Sequence, residues 1–75
     1  MIFKITLEAA RVNAGLTQKE LAEHMGVSNK TVGSWEKGIT LPAADKIDEL
    51  CEVLGIPYDF INFLPKGSLK ANKEV

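Results

Sequence analysis

The sequence predicts a small all-α domain of five helices, organised around two short helices joined by a tight turn. Three observations carry this. The chain has 75 residues and is 45% apolar, enough for one modest core and no more. Apolar side chains recur at helical spacing in successive short segments. Glycines at 15, 26, 38 and 55 stand where those segments end.

Residues 1–5 are apolar around Lys4 and precede the first helix cap. They read as an extended arm: a short strand paired with the tail or with a partner, or a segment tucked into the core. Thr6 is a cap, and Glu8 in the first turn suits the positive end of a helix. Leu7, Ala10, Arg11 and Ala14 then fall at i, i+3, i+4 and i+7, one continuous face that Gly15 ends. Arg11 is out of place on an apolar stripe. Either it snorkels to water, or it takes a carboxylate partner. Glu36, which follows Trp35 at the inner edge of the third helix, is the natural partner.

Thr17 with Glu20 three residues on is a capping box. Gln18 is then the first helical residue, beside free N–H groups of the kind that bind phosphate; otherwise it is a plain exposed glutamine. Leu21, Ala22 and Met25 form the buried face of the second helix. Ala22 is small because a larger side chain would hold two crossing helices apart. Gly26 breaks the pattern where the chain must reverse, and Val27 plugs the turn. Ser28 caps the third helix, whose apolar face is Val32 and Trp35. This is the anatomy of a helix-turn-helix. The outer face of the third helix carries Asn29, Lys30, Thr31, Gly33, Ser34 and Lys37, short or flexible donors rather than a ladder of Glu and Lys.

Residues 38–42, GITLP, connect to a fourth helix over residues 43–54, with Pro42 suited to its start. Ile47, Leu50, Cys51 and Leu54 make its buried face; Asp45, Lys46, Asp48, Glu49 and Glu52 make the other. Cys51 reads there as a small inert hydrophobe. Pro57 opens a fifth helix from Tyr58 to about Leu64. Its segment has more apolar groups than one small core needs. Ile56, Tyr58, Phe60 and Phe63 are therefore expected to form a patch for a second subunit, unless they close the core from below.

The set Gln18, Leu21, Ala22, Gly26, Val27, Ser28, Val32, Trp35, Glu36, Gly38 and Pro42 resembles the Cro/phage-repressor (Xre) family of helix-turn-helix regulators. The match covers roughly residues 6–64. The opening ITLEAARVNAGLTQ and the late FINFLPK are similar to small Cro-like regulators of Gram-positive phages and prophages. The resemblance implies a lambda-repressor-like DNA-binding domain over residues 6–64, with the helix-turn-helix at helices 2 and 3. It leaves an arm over 1–5 and a polar tail over 65–75. It also implies the Arg11–Glu36 pair and a phosphate role for Gln18. The loop after the third helix commonly touches the DNA backbone in this family, which nominates Thr40.

Geometry selects the base-reading residues. Val32 and Trp35 face the core, so positions 29, 30, 33 and 34 point outward. Asn29 can bond bidentately to adenine, Lys30 can donate to guanine O6 and N7, and Ser34 can serve either base. Gly33 lets the helix come close. Thr31 and Lys37 are assigned to phosphates, together with Thr17, Gln18, Ser28 and Thr40.

The expected function is sequence-specific regulation of transcription by occupying a double-stranded operator, as a homodimer on DNA. The alternative is a protein-interaction module of the same fold, such as an antitoxin or antirepressor. The net charge of −1 is unusual for a DNA-binding domain, but it is unevenly spread. Residues 43–64 carry Asp45, Asp48, Glu49, Glu52 and Asp59 against Lys46 alone, and are expected to face away from the phosphates. An enzyme is not expected: there is no paired acid and base, no nucleophile beside a histidine, and no phosphate-cradling glycine loop. One cysteine excludes an internal disulfide, and with the single His24 it cannot build a zinc site. No cofactor, metal or small-molecule ligand is expected. No apolar run approaches the ~18 residues of a membrane span. The expected location is the cytoplasm.

Overall fold

The computed structural model describes residues 4–63. Four α-helices follow one another: α1 (Leu7–Asn13), α2 (Gln18–Met25), α3 (Asn29–Lys37) and α4 (Ala44–Leu54). A two-residue strand, β1 (Ile5–Thr6), precedes them. A second, β2 (Ile61–Asn62), follows a single 3₁₀ turn at Tyr58–Phe60.

Local chemistry fixes the helix ends. The Thr6 hydroxyl accepts from Ala9 N at 3.1 Å, and Ser28 from Thr31 N at 3.1 Å. At α2 both halves of the capping box are made: Glu20 N donates to Thr17 Oγ1, and Thr17 N to Glu20 Oε1. Each such cap contributes about 1 kcal/mol. Gly26 and Gly38 end α2 and α3 with φ of 70° and 75°, the left-handed region that an L side chain resists. The fourth helix starts one residue later than its sequence predicts. Ala43 is its cap without a side-chain bond, and Pro42 lies buried before it.

The core is one cluster of Leu7, Ala10, Leu21, Ala22, Met25, Val32, Trp35, Leu50, Leu54 and Ile61. Leu21, Met25, Val32 and Leu50 are fully enclosed, worth roughly 1.5–3 kcal/mol each. The centre is therefore the helix-turn-helix with α4 packed beneath it. Ile47 and Cys51 are only half-buried, and Ala14 is exposed at the end of α1. Burial, and after it the charge of Asp48, push the Cys51 thiol above its ordinary range, which keeps it a neutral apolar filler.

The expected fifth helix is not formed over Tyr58–Phe63, so the described residues hold four α-helices and two short strands rather than five helices. Phe60 N closes one turn onto Pro57 O at 3.0 Å, and from Ile61 the backbone is extended. There it pairs in parallel with β1, Ile5 opposite Ile61 and Thr6 opposite Asn62. Two short turns of helix have little stability of their own. The extended form gives the backbone a partner and puts Ile61 into the core at 3% exposure. Ile5 of the arm thus forms a strand, but its partner is Ile61 in the segment expected to be helical, not the tail or a second molecule. Residues 1–3, Leu64 and the tail over 65–75 lie outside the described residues.

A side-chain bond ties α4 to α2. Lys46 on α4 donates to Met25 O at the end of α2, 3.0 Å away. An ammonium there satisfies a terminal carbonyl and meets the negative end of the helix. None of the described helices is long and apolar enough to cross a membrane.

Candidate nucleic-acid interface

The exposed side of α3 forms an open groove of about 280 Å³, lined by Gln18, Asn29, Lys30, Gly33, Ser34, Lys37 and Ile39. Positions 29, 30, 33, 34 and 37 lie on one face of a helix whose other face holds Val32 and Trp35 in the core. Asn29, Lys30 and Lys37 are exposed, while Gly33 and Ser34 are half-buried. The three residues assigned to base edges therefore stand together. Two ammonium groups line the groove and no carboxylate does. A chain of net charge −1 thus has a locally positive face.

Behind this face lies a charged anchor. Arg11 Nε lies 2.6 Å from Glu36 Oε2, with only 11% and 5% of the two side chains exposed. Arg11 Nη2 reaches Glu36 Oε1 at 3.4 Å, and Nη1 donates to Leu16 O at 2.9 Å. Gln18 Nε2 donates to the same Glu36 Oε1 at 2.9 Å. One carboxylate on α3 therefore holds α1 through Arg11 and α2 through Gln18. This fixes how the exposed face of α3 is presented.

The residues assigned to phosphates are placed less uniformly. Lys37 and Thr40 are exposed, and Thr17 and Ser28 are exposed at their helix starts. Ser28 Oγ and Thr31 Oγ1 are 2.9 Å apart, so these hydroxyls also hold one another. Gln18 begins α2, but one N–H of its side-chain amide is engaged by Glu36. Among the described residues no bond engages its backbone N–H or its second amide N–H. The structure adds Ile39, which sequence reasoning missed. Its N–H donates to Ser34 O at 3.0 Å, and its side chain is 51% exposed inside the groove. The available signal was an isoleucine directly after the helix-ending Gly38, next to the outward face of α3.

The helix-turn-helix family model matches residues 7–61, well over half of the chain. The chain belongs to the Cro/C1-type helix-turn-helix family. A search of curated proteins gives no match. The match runs from the first residue of α1 to Ile61, so the family unit includes the core, the Arg11–Glu36 anchor and the groove of α3. Members of this helix-turn-helix family are DNA-binding regulators of transcription, and α2 and α3 are the motif.

The expected subunit patch divides in two. Tyr58 and Phe60 are 57% and 43% exposed, whereas Ile56 and Phe63 are half-buried against the core. Tyr58 stacks on Phe63 with ring centroids 6.0 Å apart. Beside Tyr58 is a hollow of about 290 Å³ with Ala44, Ile47 and Asp48.

Proposed function

We propose that this chain is a Cro-like transcriptional repressor of phage or prophage type, acting by occupying an operator. The observation that supports it is the groove on α3, where Asn29, Lys30, Ser34 and Lys37 converge without a carboxylate among the lining residues. In this reading α3 enters the major groove. Asn29, Lys30 and Ser34 meet base edges. Thr17, Gln18, Ser28, Thr31, Lys37 and Thr40 meet phosphates, which set register without reading sequence. Selection of bound sequences from a random DNA pool tests it. Enrichment of one motif is the expected result; recovery of unselected DNA overturns the reading.

One short helix contacts too few bases for a useful specificity ratio, so the protein binds as a dimer. The motif is then a palindrome with half-site centres about one helical turn, ~34 Å, apart. Tyr58 and Phe60 supply the contact between subunits, and Phe60→Ser is expected to reduce cooperative binding while leaving a single half-site's affinity unchanged. A footprint over one unrepeated half-site, with one subunit bound, removes the dimer.

A further inference from the structure

Tyr58 begins the turn after α4 with most of its side chain in water, and it walls a hollow of about 290 Å³. The other walls are Ala44, Ile47 and Asp48, one stripe of α4 at helical spacing. The seat is thus apolar, with a carboxylate at its edge. Asp45 and Glu52 stand on the same side of the helix as Asp48, three residues before it and four after it. Among the described residues none of these three makes an ion pair, whereas Glu49 is held by Lys46 at 3.3 Å. An apolar seat edged by carboxylates fits an aliphatic side chain carried between cations.

The chain itself supplies that pattern. Residues 64–75, LPKGSLKANKEV, hold Leu69 between Lys66 and Lys70, with Lys73 beyond, against Glu74 alone. They start beside the seat, because Phe63 is stacked on Tyr58. Leu69 is six residues past Phe63, a reach of up to about 20 Å. A tethered segment meets such a seat at an effective concentration of about millimolar, so a weak contact suffices.

We propose that the segment 64–75 docks back on its own domain, with Leu69 in the hollow beside Tyr58 and its lysines among the carboxylates of α4. Docked there it covers Tyr58, which is assigned above to the contact between subunits, and so restrains pairing. The docking is independent of the DNA-binding reading; the restraint rests on the proposed dimer.

The test places a nitroxide on the whole isotope-labelled chain through Ser68→Cys, with Cys51→Ala removing the native thiol. Dilution into an excess of chains carrying neither label leaves only the effect of a chain on itself. The amide NMR signals of Ala44, Ile47, Asp48 and Tyr58 are expected to be lost selectively while the nitroxide is oxidised. Leu69→Ser is expected to restore them, as is Lys70→Glu, and Asp48→Lys added to Lys70→Glu to remove them again. In sedimentation, Leu69→Ser is expected to tighten self-association about tenfold, the factor for a tail that leaves Tyr58 open about one-tenth of the time. Signal loss spread evenly over the domain, loss unchanged by Leu69→Ser, or loss seen only between chains overturns the docking. Unchanged self-association once the tail is released overturns the restraint. A chain that stays monomeric in every variant, on the operator as well as off it, overturns the dimer and the restraint together and leaves the docking to the NMR result.

Discussion

Replacing Glu36 with alanine is expected to cost about 3–5 kcal/mol of stability, the scale seen when one partner of a buried ion pair is removed. Arg11 would keep one neutral acceptor, Leu16 O, for a guanidinium that is 11% exposed. Gln18 would lose its acceptor as well. Arg11→Ala strands the Glu36 carboxylate with only the Gln18 amide and is expected to cost a similar amount. Small domains are stable by only about 5–15 kcal/mol, so either change removes a large share. In a thermal melt followed by circular dichroism, the midpoint is expected to fall by more than ~10 °C, since each kcal/mol shifts a domain of this size by roughly 4–8 °C. The double variant Arg11→Met with Glu36→Leu leaves no stranded charge, and it is expected to melt well above either alanine variant. Both single variants melting within a degree or two of wild type would show that the pair holds nothing together.

Lys30→Ala is expected to cost about 1–3 kcal/mol on the preferred operator and to relax the preference at one base position. The pattern of loss carries the test. Lys37, in the last turn of α3, is assigned to a phosphate. Lys37→Ala is therefore expected to weaken operator and random DNA alike, and to lower the salt dependence by about one counterion. Titrations of each variant on both DNAs at several salt concentrations separate the two roles. Equal loss by Lys30→Ala on both DNAs makes Lys30 a phosphate contact and removes it from the reading set. Gln18→Ala is a poorer control, because its amide also supports Glu36.

Much of this architecture is legible in the sequence because it is decided over three or four residues. The caps at Thr6, Thr17 and Ser28 and the turns at Gly26 and Gly38 depend on their immediate neighbours, and each lies where spacing puts it. The face of α3 is legible for the same reason: fixing Val32 and Trp35 inward fixes what points out. The segment after α4 is different. Tyr58 to Phe63 can satisfy a helical or an extended pattern over so short a run. Its choice is made by Ile5, at the other end of the domain, which no local periodicity sees. Lys46 reads as part of a solvated face, yet its ammonium reaches a carbonyl of α2. Gln18 reads as a phosphate ligand, and its bond to Glu36 appears only once α2 and α3 are crossed.

The pairing of β1 with β2 bears on the order in which the domain assembles. Contacts between α2 and α3 close short loops, whereas the Ile5–Ile61 pairing closes nearly the whole domain into a ring. Closure entropy grows with loop length, so the ring gains little until the helices have already shortened the path between its ends. The bridge is then the last part to form and the first to open. With two residues on each side it has few bonds to hold it, and its opening releases Ile61 from the core while the helix-turn-helix stays folded. The two ends of the domain thus act as a latch on an independently assembled centre. Amide exchange at the latch is expected to run far faster than at Leu21 or Val32.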